Sequence, residues 1–442
     1  MSEKELDDIL NEVRKKAASQ RNLAAPLPVT ESKNVIETTD YSSFNEEYLN
    51  NFSSNNDRRR PRDEKPKKNG KKNGVIIAIL LVVIIIIGAV IGASVSSKSE
   101  KPSEDKEANA VVEAVVNPLT GESGYNKSAL GKRPVSVVVE NEFSTEAVRP
   151  QWAINDADIV LEGESEYSTR LLLFWADYTD VPEMVGPVRS ARPPFIMFSQ
   201  LFDSVFVHAG LSATKGNYIG ADTVFEEQNA AHVNLLNCQE DGVYFGRNNE
   251  RNTSSEHTGY LNGTNLPQLF EEKGIATDVN NASFTQLSFN SEPKAVGEIS
   301  APDCAFRFST ARCPKTAAFS YDSAKHKYVT TDFDSEYGQS NVEFENLLFI
   351  FDETEYIVKE DYKNGASETY CDYKLAGGRA VLVSEGTAAE LTWGVTDGRL
   401  WLKAADGTDA SLNVGKTYIG YGSSNNGGSI EFSSSASSAD YQ

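Results

Sequence analysis

Cysteine is scarce in this chain, with four in 442 residues, at positions 238, 304, 313 and 371. That is too few for a disulfide scaffold, and no pair has the CxxC spacing of an ordinary zinc site. Cys304 and Cys313, nine residues apart, could close a small loop in an oxidising exterior or remain free buried thiols. Histidine is equally sparse. His208, His232, His257 and His326 form no HxxxH or HExxH pattern, so no metal is expected, and GxSxG, P-loop and dinucleotide fingerprints are missing as well. No cofactor is expected. Positive charge is also short, with 42 Lys/Arg against 64 Asp/Glu and a net charge of −22. A surface this acidic repels nucleic acid and anionic lipid at long range, which argues against a DNA- or RNA-binding role.

What the chain does have is one long apolar run. Val75–Val95 contains 21 residues without a charge. At about 1.5 Å per residue, one helix of this length crosses the roughly 30 Å hydrocarbon core. Residues 58–74 carry nine Lys/Arg against Asp63 and Glu64, a net of +7, whereas the far flank mixes signs. The positive side stays in the cytoplasm, so a single-pass signal anchor with an inside N-terminus is expected, and residues 96–442 are read as extracytoplasmic. A cleaved signal peptide fits poorly, because the run is too long and starts too late. The tail 1–74 has a net charge of +2, leaving −24 on the exported part.

Within the tail, Ser2 and Glu5 form a capping box, and Leu6, Ile9, Leu10 and Val13 recur at helical spacing. Residues 2–17 read as a short amphipathic helix that could dock a cytoplasmic partner, or be no more than a partly helical tail. The basic remainder to 74 has the composition of a disordered segment, and 96–116 that of a polar stalk. Over 117–285, β-branched runs at 134–140, 158–162, 170–175 and 204–210 alternate with helix-length segments, including a helix predicted over 195–202 behind Pro193-Pro194. From 295 to 421 the pattern becomes short strands broken by Gly377-Gly378, Asp397-Gly398 and Asp406-Gly407. The expected class is α+β: a mixed α/β domain, then a mostly antiparallel β domain, then a Gly/Ser/Asn-rich tail (422–442) expected to be disordered.

The segments NPLTG (117–121), RPVSVVVEN (133–141), RPQWAINDADIVLEGESEYSTRLLLFW (149–175), VGPVRSARP (185–193) and FDSVFVHAG (202–210) resemble the YerB-like bacterial lipoproteins of the DUF3048 family. LTW at 391–393 and LNVGKTYI at 412–419 resemble that family's second, β-rich domain. The resemblance implies an envelope location but no established activity. Two features depart from the family pattern. No cysteine precedes position 238 to carry a lipid, so a helix replaces it, and Glu256-His257-Thr258-Gly259-Tyr260 stands where members tend to have Pro-His-Asn.

The same stretch concentrates candidate site residues. Arg149, Arg170, Arg189 and Arg192 are four guanidiniums in an acidic domain, and Arg189 and Arg192 flank Ser190 just before the predicted helix start. Such a grouping suits a phosphate, carboxylate or uronic acid. Glu140 and Glu162 could instead pair with these arginines as a buried network that fixes strand order. His208, at a strand end before Ala209-Gly210, would face a cleft and could act as an acid or base with Glu162, while His257 joins the candidate ligand-binding set. The sequence therefore points to a membrane-anchored, extracytoplasmic protein of a Gram-positive type of envelope that binds an anionic cell-wall glycan, a phosphate-bearing ligand or another surface protein. An enzyme acting on cell-wall or polyprenyl-phosphate substrates, and a scaffold coupling the cytoplasmic helix to the exterior, are the alternatives.

Overall fold

The β-branched run at 134–140 forms β1 (Val135–Asn141), and all seven of its residues are buried. In this computed structural model the described residues are 115–433, apart from 143–147, 252, 281–283, 314, 335–340 and 364. The amphipathic segment 2–17 and the apolar run 75–95 lie outside them, as does all but the end of the stalk. Among the described residues no helix is long and apolar enough to cross a membrane.

In chain order, β2 (Ile159–Glu164), β3 (Thr169–Trp175), α1 (Pro193–Gln200), β4 (Val205–His208), α2 (Ala221–Glu227), β5 (His232–Asn234), β6 (Phe245–Arg247), β7 (Gly259–Leu261) and α3 (Leu266–Lys273) follow β1. Then come β8 (Ile299–Ser300), β9 (Asp303–Arg307), β10 (Thr316–Asp322), β11 (Lys327–Thr330), β12 (Val342–Phe344) and β13 (Asn346–Asp352). The hairpin of β14 (Thr354–Lys363) and β15 (Ala366–Tyr373) precedes β16 (Gly378–Ser384), β17 (Thr387–Thr396), β18 (Arg399–Ala404), β19 (Thr417–Ser423) and β20 (Ser429–Ser433).

One eleven-stranded sheet runs β18-β17-β16-β13-β19-β2-β3-β1-β4-β5, with β8 on β17. β19 pairs in parallel with both β2 and β13, so strands from the C-terminal stretch continue the sheet begun by the N-terminal one. The division expected near 285–295 is thus a division of the chain and does not separate two sheets. The sheet is mixed: β13, β19, β2, β1, β4 and β5 point one way, and β3 and β16 run against them. The described part is mostly strand with three short helices, because long inter-strand segments such as 176–192 follow irregular, proline-containing paths.

Both faces of the central strands are covered, which is why they read as continuous apolar runs and not as alternating ones. Val137, Val139 and Leu173 face one core with Phe306, Phe319 and Phe344 of the five-stranded sheet β12-β11-β10-β9-β20, and with Leu269 of α3. Val138, Leu172 and Phe174 face the other core with Phe195 and Phe198 of α1 and Phe225 of α2. Gly420 lets the small sheet approach, since a Cβ there would lie 2.8 Å from ring atoms of Phe306 and Phe349. The tail expected to be disordered from 422 instead contributes β20, whose Ile430 and Phe432 stand opposite Phe306 and Cys304 of β9. All four cysteines are free, so Cys304 and Cys313 are not joined.

Candidate functional site

β1 and β4 pair only from Val135–Val137 against Val205–Val207. Beyond that point the segment 187–191 enters between them. The Glu140 amide donates to Pro187 O at 2.8 Å and the Arg189 amide to Val138 O at 3.0 Å, while the Ala209 amide donates to Arg189 O at 3.0 Å. Arg189 and Ser190 are therefore held by backbone hydrogen bonds on both sides. From across the sheet, the tight β2–β3 turn, closed by Ser165 N donating to Ser168 O at 2.8 Å, presents Glu166 and Tyr167. Arg170 stands opposite Glu140 in the β1–β3 register.

These elements enclose a cavity of about 430 Å³ beside the parting strands, within the size range of small-ligand sites and beyond the carboxyl ends of β1 and β4, where open sheets bind ligands. Arg170, Arg189, Ser190 and Arg192 all line it, together with Glu166, Tyr167, Arg247, Ser255 and Glu256. Leu236 and the hairpin residues Tyr362 and Glu368 complete its mouth.

Charge is unevenly answered at the cavity floor. Glu166 takes Arg192 Nε at 2.5 Å and Arg170 Nη2 at 3.2 Å, so two buried guanidiniums share one carboxylate. Burial pushes the Glu166 carboxyl up, but Arg170 and Arg192 outweigh it and hold the group at about 2. Burial, and then the neighbouring Arg192 charge, lowers Arg170 to about 10, so it stays cationic. Arg192 also lies 5.2 Å from the Tyr370 ring centre. At the wall, Glu140 receives Arg189 Nε at 3.2 Å and His257 Nδ1 at 2.8 Å. That hydrogen bond is the main cause of the raised His257 pKa. Arg247 pairs with Glu240 at 2.9 Å and donates to Ser255 O. Glu256 and Glu240 have half or more of their side chains in water, unlike Glu166 and Glu140. The half-buried Arg189 lies 3.5 Å from Glu256 as well, whereas the buried Arg170 and Arg192 share the single carboxylate of Glu166.

Other sequence-based expectations are corrected. The helix start offers no anion cradle of its own: α1 has Pro193 and Pro194 in its first two positions, which carry no N–H, so the donors come from the guanidiniums. His208 does not face the cavity. Its strand turns it under α2, fully buried, where Nδ1–H donates to Gly210 O at 2.6 Å and Nε2 accepts from His232 Nδ1 at 2.9 Å. It stacks on Phe225 with ring centres 5.1 Å apart, and burial lowers its pKa to about 3, so it is a neutral structural ring. Glu162 pairs instead with Lys315 at 2.6 Å, and Asn141, Thr169 and Tyr418 also donate to it. Arg149 joins that same network through Asn141 Oδ1 at 3.2 Å and the carbonyl of Asp332 at 3.1 Å, away from the cavity lining. His257 sits behind the wall, on the carboxylate it shares with Arg189. Sequence reasoning missed Glu166, Arg247 and Tyr167. The only early signal for the first and third was their place in an S-E-Y-S turn between two apolar strands.

The chain that folds this way falls in a protein class defined by sequence. Residues 119–276 match the family described as "Protein of unknown function (DUF3048) N-terminal domain" and residues 306–419 match its C-terminal domain. The chain belongs to the DUF3048 family. It is 30% identical over 313 residues to the Bacillus subtilis (strain 168) protein named "Putative lipoprotein YerB", covering 68% of this chain and 84% of that one. The crystal structure of YerB from Bacillus subtilis matches with a TM-score of 0.56 at 26% identity, over 72% of this chain and 99% of the YerB chain.

Proposed function

We propose that this chain is an envelope-anchored binding protein that holds an anionic group of an envelope ligand in the arginine cavity. The observation that carries the reading is the sharing of Glu166 by Arg170 and Arg192. A buried guanidinium without its own carboxylate is costly in an apolar sheet end, and an incoming carboxylate or phosphate would answer it with charge-assisted hydrogen bonds. The envelope location is supported by the lipoprotein name of the YerB relative and by the uncharged run 75–95 behind its basic flank. Protease added to intact protoplasts should remove residues beyond 96 and spare the tail, and a protected C-terminal part would overturn the orientation. For the site, titration of the full chain in nonionic detergent with acetate and inorganic phosphate should give saturable binding. Arg189→Gln, which replaces the most exposed of the three arginines, should abolish it. Absence of saturable binding by either anion would reject the reading.

A further inference from the structure

Tyr167 is 60% exposed, and among the described residues it is the only exposed Phe, Tyr or Trp side chain. It stands on the same turn as Glu166, so one residue of the turn is buried in the arginine floor and the next stands beside it in water. Leu236, 54% exposed, faces the same cavity from the turn after β5. Large apolar surface left in water at the mouth of a charged cavity marks a binding surface more often than a free one. A lone anion has no use for it.

We infer that the ligand is a saccharide carrying a single negative charge, its ring lying on Tyr167 and Leu236 and its anionic substituent on the arginines. The inference rests on the anion-binding reading and adds the ring. The floor sets the valence, because two buried arginines, Arg170 and Arg192, share the one carboxylate of Glu166. The remaining lining sets the chemistry. Glu256, Glu368 and Ser255 offer acceptors around the mouth, which suit the O–H donors of a sugar. The same carboxylates repel a polyanion such as a nucleoside diphosphate or a nucleic acid.

The test is calorimetric titration of the full chain in nonionic detergent with four probes: D-glucuronate, acetate, methyl α-glucoside and uridine 5′-monophosphate. Glucuronate should bind most tightly, about tenfold better than acetate, which is the scale an aromatic contact supplies. Tyr167→Ala should erase that margin and leave acetate binding as it was. Because Tyr167 is exposed, the variant stays folded, and an unchanged unfolding midpoint verifies this. Equal affinity for glucuronate and acetate, or a Tyr167→Ala variant that keeps the margin, would overturn the saccharide while leaving the anion site standing. Tighter binding of the nucleotide than of glucuronate would also overturn it. No binding of any charged probe would remove both readings together.

Discussion

Glu162 and Glu166 stand at the same end of one hairpin, four residues apart, and both are buried. Glu162 is answered in full: Asn141, Thr169 and Lys315 donate to one oxygen at 2.8, 2.5 and 2.6 Å, and Tyr418 donates to the other at 2.9 Å. Its principal cation is Lys315, which also lies 3.6 Å from Asp332, and neutral donors close the remaining lone pairs. Glu166 meets two cations, and its surroundings open onto a cavity. The first arrangement is complete without a ligand. It joins β1 and β2 to Lys315 and to β19, more than 150 residues away, so it holds the two matched stretches of the chain in one sheet. The second arrangement has cation capacity left over. Burial alone does not separate a structural charge from a binding one; the balance of partners does.

Breaking the closed network should have the largest effect. Lys315→Met leaves Glu162 as a buried carboxylate without its cation, and removing one partner of such a pair costs about 3–5 kcal/mol. Urea unfolding should show that loss, and Lys315→Met combined with Glu162→Gln should recover part of it. A loss below about 1 kcal/mol would mean that the neutral donors suffice, and the contrast with Glu166 would fail. At the open site the corresponding change is milder. Arg192→Gln leaves Glu166 with Arg170 still 3.2 Å away, so the expected cost is that of one charged hydrogen bond, about 1.5–3 kcal/mol. A loss as large as that of Lys315→Met would show that the arginines are saturated structural partners.

Strands 1–4 and half of the later ones (β10, β11, β13, β14 and β16–β19) were legible in the sequence, since fully buried strands require unbroken β-branched runs and Asp-Gly turns delimit the hairpins. Strands of two or three residues, such as β5–β8, are too short for any period to show. β20 was hidden by the Gly/Ser/Asn composition around it, although Ile430 and Phe432 do alternate. At the site, Arg170, Arg189 and Arg192 were legible because they cluster near one strand end and one helix start. Arg149 shared the same signal and joined the other network, since only the register of β1 against its neighbours decides which side of Asn141 it reaches. The partners were not legible at all. Glu162 finds Lys315 across 153 positions, and nothing in local sequence distinguishes it from Glu140, which does pair with an arginine.

A pH titration probes the comparison further with a smaller effect. Glu166, held at about 2, contributes stability that is fully present above the ordinary glutamate value and is lost only as pH falls through about 2. The floor of the cavity therefore stays ionised under any mild condition.

His257 behaves in the opposite sense. Its pKa is raised, first by the hydrogen bond to Glu140. A raised histidine contributes stability that is fully present below the unfolded value of about 6.5 and is lost as pH rises through the folded pKa. The groups facing it are Glu140 and Glu256, which favour the charged ring, and Arg189, which opposes it. Deprotonation leaves Glu140 to Arg189 and ties that guanidinium more firmly to its carboxylate. Anion binding should therefore weaken as pH rises from 6 to 9, by less than about 1 kcal/mol for so partly exposed a pair. His257→Asn should flatten that slope while keeping a hydrogen bond to Glu140. Acetate titrations at several pH values, with the His257 ring followed by NMR, measure both halves. If His257→Asn keeps the wild-type slope, Glu140 is not the link between the histidine and the arginine cavity, and the wall carboxylate belongs with Glu162 among the closed structural pairs.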